Sequence, residues 1–404
     1  LFRDPCPGLA ALWIGTLLLA AAAPARGDEF RLIPGVALKE EFNDNILFSA
    51  RDTRSSFIST LSPKLSLSER SERLDAKLET VLDLLLYARD WHLNSVEQNH
   101  AGQAHFRVTP LFGLGGEAGY SRTTRPDGFL ETTGQVTSLS SAQQHYSLKG
   151  DGVLSEKLTG SLSYAYQQTD YSDPAVAADY RAHSANLGLA YDLAALAPGL
   201  KGTGSFGYST NLFASASVDM YRATLGLSYA LHELWSVQSE AGALLVHSAF
   251  ARQPVLPAGG TPRAAPVSNF EVGWTASLAL SYRGELDSAG LSFSHGIQSA
   301  YGQSGAVQRT ALSAVLRRRL SYQLSAALSG GYYANSSRQD QFASQAIDEN
   351  TYQAAPSLRY EFSRDLALEG KYEFALVKDH QSGTDSRRNL VFVRLSLQWP
   401  LFDQ

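Results

Sequence analysis

The segment Val391-Phe392-Val393-Arg394-Leu395-Ser396-Leu397-Gln398-Trp399-Pro400-Leu401-Phe402 puts an apolar side chain on every odd position and mostly polar or small ones between. Side chains of a strand alternate faces, so this is a strand with one apolar face and one hydrophilic face. The pattern recurs along nearly the whole chain. Eighteen such segments can be marked, from 31-42 at one end to 388-401 at the other. Each runs for about ten residues or more, the length a tilted strand needs to cross a bilayer. After Ala23 no apolar run approaches the roughly 20 residues of a membrane-spanning helix. The fold class expected is all-β: a transmembrane, antiparallel, up-and-down β-barrel of about 18 strands. The even number puts both ends on the same side of the membrane.

The beginning of the chain has a different character. Arg3 precedes an apolar run from Leu9 to Ala23 and the small-x-small site Ala23-Pro24-Ala25. This is the layout of a secretory signal removed after Ala25, so 1-25 is expected to be cleaved and 26-404 to form the barrel in a bacterial outer membrane. The single cysteine, Cys6, would leave with the signal. Disulfides, thiolate metal sites, c-type haem attachment and a cysteine nucleophile are thereby excluded from the mature chain. The formal charge is −5, with Lys and Arg scattered rather than clustered, which gives nucleic-acid binding no support.

Connections sort by length. Links after even-numbered segments are mostly tight, as at Ser155-Glu156, Arg319-Leu320 and Ser363-Arg364. Links after odd-numbered ones are longer and rich in Gly, Pro, Ser and Asn, as in 43-55, 123-141, 249-267 and 335-349. Short turns on the periplasmic rim and long loops outside are the expected asymmetry of such barrels. If the lumen is blocked, 249-267 and 335-349 are the long loops available to fold in.

Charges keep to one face. In 73-87 the even positions are Leu74, Ala76, Leu78, Thr80, Leu82, Leu84 and Leu86, whereas Asp75, Lys77, Glu79 and Asp83 are odd. An Arg or Lys facing lipid at the midplane costs roughly 2–4 kcal/mol, so the charged face is assigned to an aqueous lumen. The candidate lumen residues are Glu79, Arg107, Lys149, Arg309, Arg317, Arg359, Glu361, Glu369, Lys371, Glu373 and Arg394. Their signs are mixed. A ring of one sign would imply ion selectivity; mixed signs suit either a polar, hydrogen-bonding wall or internal ion-paired struts.

Outward aromatics should collect at the two interfaces, where an apolar ring with a polar tip is at home. The periplasmic girdle is assigned to Phe112, Tyr191, Tyr229, Tyr282, Tyr322, Tyr360 and Trp399. The outer girdle is assigned to Tyr120, Tyr166, Tyr221, Tyr332 and Tyr352.

No catalytic constellation, metal site or cofactor site is expected. The nine histidines are dispersed, and His100 and His105 differ by an odd number and so face opposite sides. Ser294 and His295 are adjacent on a strand and point apart, and Asp379-His380 reads as a solvated turn.

The stretch Gly35-Val36-Ala37-Leu38, Glu41-Phe42-Asn43-Asp44-Asn45-Ile46-Leu47 and Thr60-Leu61-Ser62-Pro63-Lys64-Leu65-Ser66-Leu67 resembles the opening of an outer-membrane β-barrel porin family. The same pattern is similar to PEP-CTERM-associated outer-membrane proteins and to the 18-stranded barrels of exopolysaccharide secretion systems. The resemblance implies a channel for an exported polysaccharide, working with a periplasmic polysaccharide export protein. It also implies outer-membrane lipid and the barrel assembly machinery as partners, with Phe402 rather than the last residue as the aromatic presented for assembly. Two other readings stay open: a diffusion porin for small solutes, and the barrel sheath of a porin-cytochrome electron conduit.

Overall fold

The computed structural model describes residues 29–125, 139–174, 177–250, 267–300, 305–339, 341–342 and 346–403. The segment read as a signal, 1-25, and most of the loop 249-267 lie outside them. In chain order the strands are β1 (Glu29–Asn43), β2 (Ser56–Arg70), β3 (Leu74–Tyr87), β4 (Ser95–Thr109), β5 (Phe112–Thr123) and β6 (Ser141–Ser155). Next come β7 (Leu158–Tyr171), β8 (Tyr180–Asp192), β9 (Leu200–Phe213), β10 (Ala216–His232), β11 (Trp235–Phe250) and β12 (Val267–Arg283). The last are β13 (Asp287–Ser299), β14 (Ala306–Arg319), β15 (Leu324–Ser337), β16 (Ile347–Glu361), β17 (Leu366–Asp379) and β18 (Thr384–Gln398). Among the described residues no helix is long and apolar enough to cross a membrane.

Each strand pairs antiparallel with the next, and β18 returns to β1 from Gly35–Gln398 to Asn43–Leu390, closing an 18-strand barrel. Closure removes the sheet edge that a bilayer would not tolerate. Past Trp399-Pro400 the chain keeps to β1, with Phe402–Asp403 opposite Leu32 and Arg31. At the outer rim the Asn-Asp-Asn step ties first strand to last: Asn389 donates its backbone N–H and its side-chain amide to the two carboxylate oxygens of Asp44, each at 2.6 Å. Asn45, almost wholly buried, donates to the Arg387 carbonyl at 2.9 Å.

Three periplasmic turns share one device. Ser71, Ser321 and Ser363 each use Oγ to accept from the backbone N–H three residues on, at 3.0, 3.0 and 3.1 Å. Short hydroxyl side chains of this kind stabilise tight reversals. The longer link 193-199 coils on itself, and Gly199 takes a positive φ of 78° that glycine adopts without strain. Two outer links are shorter than expected, the β9–β10 turn Ala214-Ser215 and residues 380–383, the latter closed by Gly383 at φ 64°.

Strands also run further toward the outer rim than alternation indicated. β15, β16 and β18 extend to Ser337, Ile347 and Thr384. This corrects the one-face rule for charge: Arg122, Asp219, Asp348, Lys378 and Arg387 share the outward face with the tyrosines nearby. The wall projects beyond the hydrocarbon, where hydrogen bonding continues but apolar selection on the outer face ends.

Buried side chains gather at the outer end of the lumen. The first outer loop folds in, placing Ile46 with Ile58 and Leu85, and Phe48 with Ala375 and Val377. Phe48 sits at φ 48°, a left-handed conformation costing roughly 1–2 kcal/mol, held by that packing. Phe342, in the link after β15, also lies inside, buried against Val218, Leu244 and Val246.

Candidate functional site: the charged wall of the lumen

Register carries one face unbroken around the barrel. Lys39 pairs with Arg394, Arg394 with Glu369, and Glu369 with Arg359, so β1, β18, β17 and β16 present these side chains side by side. Glu41 and Arg388, 1% and 2% exposed, lie on the same face, which identifies it as the enclosed one.

Along these four strands the charges form a ladder of ion pairs. Near the periplasmic mouth Arg359 meets Glu361 at 3.2 Å, and Arg394 meets Glu369 at 2.5 Å. Higher up, Glu373 holds Lys371 at 3.1 Å and Arg388 at 2.6 Å. At the top, Glu41 takes Lys39 at 2.8 Å and Arg125, from the loop after β5, at 3.0 Å. Arg388 also places its guanidinium 5.4 Å from the Phe48 ring centroid, fastening the first loop to the wall.

The remaining predicted lumen residues are spread around the barrel. Glu79 bridges Lys64 at 3.0 Å and Lys77 at 3.4 Å. Arg309 is buried and donates to Asn335 and Gln298, each at 2.9 Å. Arg107 donates to the Glu72 carbonyl at 3.4 Å at the periplasmic end. Lys149 stands between Gly115 and Ser163 on the inward face. Arg317, Arg359, Glu369 and Lys371 come together with Arg319 and Glu285 in a recess of about 590 Å³ at the periplasmic mouth. Exposure separates the two ends: the Arg359 and Glu361 side chains are 44% and 53% exposed, against 1% for Glu41.

Three residues central to this ladder, Lys39, Glu41 and Arg388, are missing from the sequence-derived set. The two on β1 were findable, because Gly35, Ala37, Lys39 and Glu41 share one parity within the marked segment 31-42. Arg388 falls at the edge of its marked segment, and Arg125 lies in a loop where periodicity says nothing.

On the outward face, Tyr332 and Tyr352 pair with ring centroids 5.2 Å apart, and Tyr221 pairs with Tyr208 at 5.0 Å. Tyr120 stacks on His100 and Tyr166 on Tyr146, and Tyr282 packs tilted against Trp235 with ring centroids 4.8 Å apart. Phe112, Tyr191, Tyr229, Tyr360 and Trp399 stand on that face near the periplasmic ends of their strands. Tyr322 departs from the expectation: it lies in the β14–β15 turn rather than a strand and is 95% exposed. Tyr146, Tyr164, Tyr208, Trp235 and Tyr372 are outward aromatics that the sequence reading left out.

Ser294 and His295 fall on opposite faces. Asp379 spends its carboxylate on the last outer turn, accepting from the Gln381 and Ser382 backbone at 2.8 and 3.2 Å. Among the described residues no group of three or more His, Cys, Asp or Glu side chains is placed to hold a metal ion.

A closed wall of eighteen antiparallel strands, apolar outside and ionic inside, is an outer-membrane β-barrel of the porin type, and the outer membrane of a bacterium is where it resides. Residues 283–399 match the family model described as "Putative beta-barrel porin 2". The match covers the C-terminal strands, not the Gly35–Leu67 stretch on which the sequence resemblance was drawn. No curated protein matches the chain in sequence. Among solved structures, the outer membrane protein opdK from Pseudomonas aeruginosa is 12% identical over 91% of this chain and 99% of its own, with a TM-score of 0.47. OccK2 (OpdF) of Pseudomonas aeruginosa is 12% identical over 92% and 98%, with a TM-score of 0.48. The siderophore receptor PirA of the same organism is 14% identical over 94% and 81%, with a TM-score of 0.44. Nothing about cargo transfers at these scores.

Proposed function

We propose that this barrel is a gated channel for a hydrophilic, hydroxyl-rich cargo, in the first place an exported polysaccharide delivered by a periplasmic export protein. The observation that carries the reading is the contrast between the two ends. The periplasmic half offers exposed polar groups, and the outer half is narrowed by loops that Glu41, Arg388 and the buried Phe48 and Phe342 hold inside the wall. A wall whose charges are paired, one sign beside the other, sets no strong ion preference. Its pairs and hydroxyls supply many weak contacts over which a sugar polymer slides. A cytochrome sheath needs an unobstructed lumen, and the inward loops count against it; a diffusion porin carries a constriction loop of its own, so that alternative is separated from the leading one by experiment.

The outward tyrosines and Trp399 seat the barrel at its two interfaces, and residues 1-25 direct its export. N-terminal sequencing of the mature protein is expected to begin at Arg26. Deleting the gene in its native host is expected to reduce surface polysaccharide; unchanged polysaccharide together with lowered uptake of small solutes would make the protein a porin instead.

A further inference from the structure

The wall is not sealed to the same height everywhere. β12 is bonded to β11 along its whole length, from Val267–Phe250 to Tyr282–Trp235, and β13 to β14 from Asp287–Arg318 to Ser299–Ala306. Between β12 and β13 the ladder runs only from Arg283–Ser288 up to Ala276–His295. There it stops, although both strands continue toward the outer rim. At the last rung a side chain replaces the ladder, Thr275 Oγ1 donating to the His295 carbonyl at 3.0 Å. The His295 ring stacks on Trp274 with centroids 3.8 Å apart and is held by Thr310 at 2.8 Å.

Above this point β13 turns inward. Alternation would place Ile297 on the outward face with His295, yet it is buried with Val218, Leu244 and Val246, inward side chains of β10 and β11. It lies over Gly273, where a Cβ would stand 3.4 Å from Ile297 Cδ1. The missing side chain at Gly273 leaves the slot that Ile297 fills. In front of the slot, on the lipid side, Phe270, Val272 and Trp274 are all exposed. Apolar side chains therefore stand on both sides of a break in the hydrogen bonding, with Ile297, Val218, Leu244 and Val246 on the inner side and Phe270, Val272 and Trp274 on the outer. A sealed polar channel has no use for such a break, because unpaired backbone facing lipid is costly.

We propose that the β12–β13 seam is a lateral exit by which an amphipathic cargo, a polar head carrying an acyl chain, passes between the lumen and the outer leaflet. Ile297 leaves the slot as the chain enters it. The proposal rests on the channel reading for the polar head and adds an apolar route for the tail.

A disulfide across the seam tests it. The only cysteine in the sequence is Cys6, and a Cβ on Gly296 would stand 3.7 Å from Thr275 Cβ, inside the span of about 3.5–4.5 Å that a disulfide bridges. The full chain carrying T275C and G296C is expressed in cells, and insertion is checked by the heat-modifiable mobility of folded barrels. Uptake of dansyl-labelled dodecanoic acid is compared with passage of arabinose into liposomes bearing the purified protein. The wild type is expected to raise dansyl-dodecanoate uptake over non-expressing cells. The oxidised variant is expected to lose that gain and regain it on reduction, with arabinose passage unchanged throughout. Ile297→Ala, which widens the slot without a new bond, is expected to increase uptake. Amphiphile uptake equal in the oxidised and reduced variant, absent from the wild type, or lost together with arabinose passage would each overturn the proposal. Amphiphile uptake with no arabinose passage in the wild type would overturn the channel reading instead.

Discussion

Arg125 reaches from the loop after β5 to Glu41 on β1 and donates to both carboxylate oxygens, at 3.0 and 3.2 Å. The two residues are 84 positions apart, and Glu41 is 1% exposed, so the bond spans the outer mouth with little water to weaken it. Glu41→Gln removes the charge and keeps the shape. A charge-assisted hydrogen bond is worth about 1.5–3 kcal/mol, so the open population should rise on the order of tenfold or more. Planar-bilayer recordings should show this as openings more frequent in E41Q than in the wild type. R125Q should behave alike, and the double variant should add little to either.

Gly242 makes a local and steeper prediction. A Cβ there would collide with the Ala223 carbonyl of the neighbouring strand, and backbone cannot step aside as a flexible side chain can. Gly370, by contrast, has nothing within 4 Å of where its Cβ would stand. Gly242→Ala is expected to cost about 1–3 kcal/mol. Urea unfolding of the reconstituted barrel should resolve that loss in G242A and leave G370A at the wild-type midpoint.

Leu225 and Ser228 compare the two faces of one strand. Leu225 is outward and 77% exposed in the middle of β10, whereas Ser228 is inward. Arginine at 225 should destabilise by roughly 2–4 kcal/mol, as charge at the lipid midplane does, while arginine at 228 should leave stability nearly unchanged. Equal losses at both positions would contradict the assignment of faces.

The recess holding Arg317, Arg359 and Lys371 beside Glu369 governs the periplasmic mouth. Replacing Arg317 and Arg359 with glutamine removes two exposed charges whose loss costs the fold little. The reversal potential in a salt gradient should move toward cation preference, and the unfolding midpoint should hold.

Much of this molecule is local and was therefore present in the sequence. Period-two alternation states which of two faces each side chain takes, and lipid on one side with water on the other imposes that choice strand after strand, so 18 strands and the parity of residues such as Glu79, Glu369 and Arg394 follow from reading the chain in order. The ends of strands were less legible, because outside the hydrocarbon a ladder continues at Asp348 or Arg387 with no apolar selection to mark it. Only the closed barrel decided the rest: that the Asn43-Asp44-Asn45 step would bond to a strand more than three hundred residues later, that Ile46, Phe48 and Phe342 would turn into the lumen, that Arg125 would find Glu41, and that β12 and β13 would part above His295. Each of these joins residues that are distant along the chain, and a loop's apolar side chain looks the same in sequence whether it ends in water or under a roof that other strands provide.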